Sequence, residues 1–266
     1  MAYPYRRLIK PRLGTPFNKG HRLAKGLVGL WLMNENTGTT LNDLSGNGNT
    51  GVITGATWVA GKFGSTLNYA GVHYVTIDNA KLNSVFDVGN PWSIVVWFNC
   101  GTLAGGWSWI WSKGFTSWES PYYQIDIRVN EATSRIETRI WNTDGTVFLQ
   151  SNTGADADIT INEWHQVAMV FDGANLYNYL DGVLYSTDTE SSGTQAQYDT
   201  DIAIGSHLKL INSAYGFNGK IDQNLIYNRA LSASEIAQLY REPFAMFGRD
   251  DIFDVAAAFR RRVIVT

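Results

Sequence analysis

The fold class is decided by the stretch Asn162-Glu-Trp-His-Gln-Val-Ala-Met-Val-Phe-Asp-Gly173. Its apolar run, residues 166–171, ends at Asp172-Gly173, a dipeptide typical of tight hairpin turns. The next run, Leu176-Tyr-Asn-Tyr-Leu180, ends at a second turn of this kind, Asp181-Gly182. Short apolar runs that end at such turns predict antiparallel strands in a sandwich or barrel.

The same pattern continues on both sides of this hairpin. In Ile125-Asp-Ile-Arg-Val129, the apolar side chains share one face of a strand, and Asp126 and Arg128 share the other. We therefore predict one all-β domain over residues 26–241, which ends in a short helix that begins at the capping box Ser232-Ala-Ser-Glu235. Comparable apolar runs occupy residues 26–32, 93–98, 122–129, 201–204 and 219–227.

The composition of the 266-residue chain fits one large domain. Hydrophobic residues make up 44% of it, enough for a sizeable core, and the single cysteine, Cys100, excludes an intrachain disulfide. No run approaches the roughly 20 apolar residues that cross a membrane. Because the first residues also lack the apolar segment of a signal peptide, we expect a protein that is soluble when synthesised in the cytoplasm.

Residues 1–25 are basic and the body of the chain is acidic. The first 25 residues carry seven Lys and Arg and no acid, whereas residues 26–248 carry 10 basic and 21 acidic residues. We interpret residues 1–25 as an extended arm, mobile in an isolated subunit, which binds an acidic surface on another structural protein or an identical copy. A solvated flexible tail is the alternative. The candidate partner-binding residues are Arg6, Arg7, Lys10 and Arg12.

The sequence of the C-terminal tail, residues 242–266, predicts a second short amphipathic helix. Ile252, Val255 and Phe259 recur at helical spacing, with acidic residues before them and arginines after them. A helix this short is marginal alone, so its apolar face should dock on its own domain or on a partner.

From Leu27 to Tyr240, an ordered series of short motifs resembles the laminin G-like or concanavalin A-like jelly-roll superfamily, of the bacterial and phage type. The resemblance implies a sandwich of two facing antiparallel sheets, each strand burying one face between them. Neither tail is covered by it. Among the motifs are Leu30-Trp-Leu-Met-Asn-Glu35, Asp43-Leu-Ser-Gly-Asn-Gly-Asn49, Trp58-Val-Ala-Gly-Lys-Phe-Gly64, Pro91-Trp-Ser-Ile-Val-Val-Trp97, the fold-deciding stretch itself, and Phe217-Asn-Gly-Lys-Ile-Asp222.

The resemblance also implies a structural calcium ion where the first and last strands meet. Its candidate ligands are Asp222 with Asn34, Glu35, or Asp43 and Asn49 of an oxygen-rich turn. Calcium takes carboxylate, amide and backbone oxygens, which these residues offer. The alternative is that the Asp43 turn is only a set of Asx turns, in which side-chain oxygens accept from nearby backbone N–H groups.

A cluster of tryptophans is the candidate ligand-binding site. Alternation places Trp107, Trp109 and Trp111 on one face of an extended segment, with Trp118 nearby. Exposed indoles could bind a glycan, and they could equally bury in a protein interface. Trp31, Trp97 and Trp164 are instead predicted to pack in the core or against the sheets.

The superfamily includes glycoside hydrolases, but we expect no enzyme. Retaining hydrolysis needs two carboxylates about 5 Å apart, and the Glu-x-Asp-x-x-Glu pattern of the related glucanases does not occur. The nearest pair, Glu131 and Glu137, is separated by a predicted turn. Scattered histidines and one cysteine provide no zinc-binding spacing.

Together, these features favour a virion-type structural or adhesion protein, such as a capsid decoration or a tail component, anchored through both tails. A free carbohydrate-binding module or lectin of a bacterium is the second hypothesis, and a glycoside hydrolase is the third. The protein is expected on a virion or an extracellular surface. A nucleic-acid partner is not expected.

Overall fold

The strands form two antiparallel sheets that face each other across one core. The computed structural model describes residues 8–101, 106–114, 123–151, 158–189, 193–207 and 216–247. Within them, sheet I contains β1 Leu27–Trp31, β4 Thr57–Ala60, β5 Ser65–Ala70, β7 Trp92–Cys100, β12 Trp164–Phe171, β13 Leu176–Leu180, β14 Val183–Asp188 and β16 Asn218–Tyr227. Sheet II contains β2 Thr40–Leu41, β3 Gly51–Thr54, β6 Tyr74–Ile77, β8 Trp107–Lys113, β9 Ile125–Asn130, β10 Arg135–Trp141, β11 Val147–Gln150 and β15 Ile202–Ile204.

The order of the strands confirms the predicted jelly-roll sandwich. Sheet I runs β14-β13-β12-β7-β16-β5-β4, with β1 paired to β16, and sheet II runs β11-β10-β9-β8-β15-β6-β3-β2. The last strand, β16, therefore lies in the middle of sheet I, between β7 and the strands of the first third of the chain.

The predicted hairpins form at the two Asp-Gly turns. β12 pairs with β13, and β13 pairs with β14 around Asp181 and Gly182. These two residues have φ angles of 51° and 80°, as the two central positions of a type I′ turn require.

Sheet I is buried on both of its faces along much of β7. Ile94, Val96 and Phe98 face sheet II and join the main core. Val95 and Trp97, which alternate with them, are buried on the outer face of sheet I. Burial on both faces explains why the run is apolar throughout instead of alternating.

A second apolar layer covers this outer face. Helix α1, Ala233–Arg241, contributes Ile236 and Leu239 to it. The predicted capping box starts the helix: the Ser232 side chain accepts from the Glu235 backbone, and the Glu235 carboxylate accepts from the Ser232 backbone. Tyr240 of the helix stacks on Trp97, with 5.3 Å between ring centroids.

The N-terminal segment, from residue 8 onward, packs into the same layer. The Lys10 backbone N–H donates to the Phe63 carbonyl at 2.9 Å, Phe17 pairs with Phe247 in a β-bridge, and Leu23 is fully buried. The expectation of a mobile arm is therefore wrong for residues 8–25. These apolar side chains complete the cover of sheet I, which the charge pattern alone did not reveal. Arg12, in contrast, is exposed.

In the part of the chain that the structure describes, no helix has the length and apolar character needed to cross a membrane.

Truncation of Trp97 tests the two-sided burial of sheet I. Trp97 is almost completely buried between Phe63 and Tyr240. Trp97→Ala should lower the free energy of unfolding by about 3–5 kcal/mol, measured by urea denaturation, because a large cavity replaces the indole. Val183→Ala, at an exposed position, is the control and should change it by less than about 0.5 kcal/mol. Equal effects would contradict the packing of α1 on sheet I.

Candidate functional site

A register shift in β8 separates the tryptophans that were predicted to share one face. Trp109 pairs with Arg128 of β9 and Trp111 pairs with Ile127, so Ile110 is an extra residue in β8. Such a bulge turns the following side chain to the other face. Trp111 consequently lies in the main core, fully buried, and the prediction that it joins an exposed cluster is wrong.

Trp107 and Trp109 remain on the outer face of sheet II, where they contact arginines. The Arg128 guanidinium lies 3.7 Å from the centre of the Trp107 ring and 5.4 Å from that of Trp109. Arg139 lies between Trp107 and Trp141, at 5.6 and 5.5 Å. We call these five residues the tryptophan–arginine cluster. Trp109 is buried within it, at 2% exposure, and Trp107 is half-buried.

Two carboxylates neutralise the arginines of this cluster. Glu137 accepts from Arg139 at 2.6 Å and from Arg128 at 3.3 Å. Asp126 lies 3.7 Å from Arg128 and accepts from the Trp141 indole N–H at 2.6 Å. Burial raises the pKa of Asp126. The arrangement is a buried ion network, and it leaves only Trp107 and Arg139 partly open to a ligand.

A neutral histidine packs beside this cluster. The His207 ring meets Trp109 and Tyr123 edge to face, at 5.6 and 4.9 Å between centroids. Burial lowers the pKa of His207 to about 4, so the ring is uncharged at pH 7.

The residues predicted to bind calcium make hydrogen bonds within the chain. Asp43 accepts from the backbone N–H groups of Leu30, Ser45 and Asn49 at 3.0, 2.9 and 2.9 Å. Its turn is therefore organised by Asx-type hydrogen bonds, which was the alternative interpretation. The Asn49 amide donates to the Val28 carbonyl at 2.8 Å.

Beside Asp222, where calcium was predicted, the structure has an ammonium group that belongs to the chain itself. Lys10 forms an ion pair with Asp222, and both side chains are buried. Lys10 was predicted to bind a partner; its burial in its own domain makes that prediction wrong for this side chain. Glu35 accepts from the Asn42 backbone and side chain, and the Asn34 amide donates to Pro11. Calcium binding stays a prediction, and Asp222 already has a cation beside it.

A groove that no sequence motif indicated lies on the outer face of sheet I. It has a volume of about 490 Å³, and amide side chains dominate its lining. We call it the asparagine groove. Its polar side chains are Asn68, Asn99, Asn162, Asn218 and Lys220.

Strand register brings Asn68, Asn99 and Lys220 of this groove into one row. Lys220 of β16 pairs with Asn68 of β5 on one side and with Asn99 of β7 on the other. Trp164 of β12 pairs with Asn99 and continues the row. Four adjacent strands at 4.7–4.9 Å spacing give a row of roughly 14 Å. Trp164 is half-buried, which fits the predicted packing against the sheets and not a place in the core.

Local backbone geometry keeps the groove open. Asn162 has a φ of 65°, which asparagine tolerates better than most residues, and its N–H donates to the Cys100 carbonyl at 2.7 Å. A side chain at Gly219 would place its Cβ 2.2 Å from the Asn99 carbonyl oxygen. Only glycine therefore allows β16 to approach β7 at this point.

The amides of the groove are available to a ligand. Among the described residues, the side chains of Asn68, Asn99, Asn162 and Asn218 have no hydrogen-bond partner. Lys220 donates once, to the Ala60 carbonyl at 3.3 Å. The sequence signal was a single polar residue inside an apolar strand, as at Asn99 between Phe98 and Cys100, which is weak without the neighbouring strands.

Several predicted residues lie outside the described residues. They are Trp118 of the tryptophan cluster and the partner-binding candidates Arg6, Arg7, Ile252, Val255 and Phe259.

Comparison with models of protein families identifies the superfamily of this chain. Residues 70–237 match the family model of the concanavalin A-like lectin/glucanases superfamily. The chain belongs to this superfamily. A search of curated protein sequences found no match.

Solved structures with the same fold include parts of much larger proteins. The binding domain of Paraclostridial Mosquitocidal Protein 1 matches with a TM-score of 0.65 and 17% identity, over 84% of this chain and 54% of that one. Trypanosoma rangeli sialidase in complex with sialic acid matches with a TM-score of 0.62 and 17% identity, over 84% and 34%. This chain thus spans about half and a third of their lengths. At these identities the likeness shows the fold alone.

One solved domain has nearly the same extent as this domain. Domain 4 of an extracellular GH43 arabinanase from Geobacillus stearothermophilus, in complex with arabinotriose, matches with a TM-score of 0.55 and 18% identity. The match covers 80% of this chain and 98% of that domain.

The buried His207 predicts an acid-sensitive fold. Because its folded pKa of about 4 lies below the value of about 6.5 in the unfolded chain, the unfolded state binds a proton first as the pH falls. The free energy of unfolding should therefore decrease by up to about 3 kcal/mol between pH 6.5 and pH 4. Urea denaturation across this range should show a smaller decrease for His207→Gln than for the wild type.

His165 provides the matched control for that measurement. Burial acts to lower the pKa of His165, but the Asp181 carboxylate, 2.8 Å from its Nδ1, raises it overall. Its contribution to stability is present at low pH and is lost as the pH rises through the folded pKa. Below about pH 6.5 that contribution is nearly constant, so His165→Gln should lose about as much stability between pH 6.5 and pH 4 as the wild type does. An identical pH profile for His165→Gln and His207→Gln would refute the assignment.

Proposed function

We propose that this protein is a non-catalytic glycan-binding module and that the asparagine groove is its binding site. The observation that carries the proposal is the row Asn68, Lys220, Asn99 and Trp164 across four strands, with its amides directed into an open groove. Each amide offers both donors and acceptors, which matches the hydroxyl groups of a sugar. The Trp164 ring at the end of the row can pack against the apolar face of a sugar ring.

The tryptophan–arginine cluster is the weaker candidate site. Its guanidinium groups already pair with Asp126 and Glu137, and a ligand would have to compete with these buried contacts. The groove amides need no such exchange. The arabinotriose complex of the structurally similar arabinanase domain supports a glycan ligand for this kind of fold.

The ion pairs between these carboxylates and arginines support a role without catalysis. Asp126 and Glu137 lie on adjacent strands of sheet II, but both are buried and both contact arginines. Retaining hydrolysis needs one carboxylate that reaches the sugar and a second that delivers a proton. Neither carboxylate is presented to an open groove.

Display on a virion or another surface stays a prediction. It depended on the two tails, and residues 1–7 and 248–266 lie outside the described residues. The groove proposal does not depend on where the protein is displayed.

Substitutions in the groove test the binding site. Glycans identified on an array should bind Asn99→Ala and Trp164→Ala at least about tenfold more weakly by calorimetry, because each substitution removes about 1.4 kcal/mol or more of contact. Asn90→Ala, at an exposed asparagine outside the groove, is the matched control and should bind normally. If Trp107→Ala abolishes binding while both groove variants bind normally, the site is the tryptophan–arginine cluster. No binding to any glycan would refute the proposal.

A hydrolase assay tests the absence of catalysis. The purified protein should release no reducing sugar from arabinan or β-glucan and no sialic acid from sialosides, as measured by chromatography. Activity that disappears in both Asp126→Asn and Glu137→Gln would overturn the non-catalytic proposal.

A further inference from the structure

A buried lysine from the N-terminal segment reaches into the body of the domain. The Lys10 ammonium donates to the Met33 carbonyl at 3.1 Å, to the Ser65 carbonyl, and to the Asp222 carboxylate. These acceptors come from the segment just after β1, the start of β5 and the middle of β16. Three N–H donors thus meet three oxygens that lie far apart in the sequence.

Two of the residues that were predicted to bind calcium, Asp222 and Glu35, lie near the Lys10 ammonium. Asp222 contacts the ammonium directly, and Glu35 is close enough for its charge to act on Lys10. Met33 has a φ of 53°, in the left-handed region that costs a non-glycine residue energy, and its carbonyl accepts from both Lys10 and Ser65. The site is therefore built around a positive charge.

A calcium ion does not fit beside Asp222 while Lys10 is there. Calcium takes six to eight oxygen ligands, and the Met33 carbonyl, the Ser65 carbonyl and the Asp222 Oδ1 oxygen already bind the ammonium. Within the described residues, only the second Asp222 oxygen, Oδ2, is left on that side chain without a hydrogen-bond partner. Among the described residues, no three His, Cys, Asp or Glu side chains come together in a way that could hold a metal.

We infer that the Lys10 ammonium is the resident cation of this oxygen cluster and takes the place that the family resemblance assigns to a calcium ion. The N-terminal segment is then an integral part of the fold. It joins the start of the described chain to the strand that lines the asparagine groove, because Asp222 follows Lys220 by two residues in β16.

Each charge of the pair depends on the other. Both side chains are buried, so either charge alone would be unfavourable in this environment. Breaking a buried pair by removing one partner is strongly destabilising, because the remaining charge keeps its desolvation cost.

Thermal unfolding of the full chain tests the inference in two steps. The wild-type melting temperature should not change with added Ca²⁺ or with EDTA, since no bound metal contributes to stability. Lys10→Met, which removes the charge and shortens the side chain by only one atom, should lower the melting temperature by roughly 10 °C. Lys19→Met, at an exposed position of the same segment, is the matched control and should change it little.

A shortened side chain then tests whether the position accepts other cations. Lys10→Ala leaves the oxygens of Met33, Ser65 and Asp222 around an empty space, so Ca²⁺ or propylammonium should raise its melting temperature but not that of the wild type. Lys10→Ala/Asp222→Asn should lose this response. The inference is overturned if Ca²⁺ stabilises the wild type, if Lys10→Met is as stable as Lys19→Met, or if neither cation stabilises Lys10→Ala. None of these outcomes depends on glycan binding.

Discussion

Sheet I must bury both of its faces, and the rest of the structure depends on this constraint. The outer face of β7 carries Val95 and Trp97, which would be exposed in a simple two-sheet sandwich. Helix α1 and the N-terminal segment remove that apolar area from water. At roughly 25 cal/mol per Å² of apolar surface, the gain is enough to order segments that would not fold alone.

The cover of sheet I is incomplete, and the uncovered part is polar. Towards the end of β7 the outer-facing residue is Asn99, and its cross-strand neighbours are Lys220 and Trp164 instead of aliphatic residues. The same alternation that buries Val95 and Trp97 thus presents an amide two residues further on. A binding surface arises where the apolar cover ends.

Two bulges redistribute the chemically important side chains. In β8 the extra residue Ile110 sends Trp111 into the core and leaves Trp109 against Arg128. In β16 the register shifts between Ile221 and Asn224, and Asp222 lies in this irregular part of the strand. At both positions the side chains do not alternate regularly between the two faces of the sheet. Each bulge therefore brings a side chain to a site that a regular strand would not reach.

The sequence by itself determined the fold class, the hairpins and the capped helix. Asp181-Gly182 requires positive φ angles, and Ser232 with Glu235 satisfies the first turn of α1, so these features depend on residues only a few positions apart. Tertiary structure alone decided the sites. Lys10 meets Asp222 only because the N-terminal segment packs against the body of the domain. Asn68, Asn99 and Trp164 align with Lys220 only because strands distant in sequence pair in a particular register. Charge counting placed Lys10 in a mobile arm because composition carries no information about which basic residue finds a buried carboxylate.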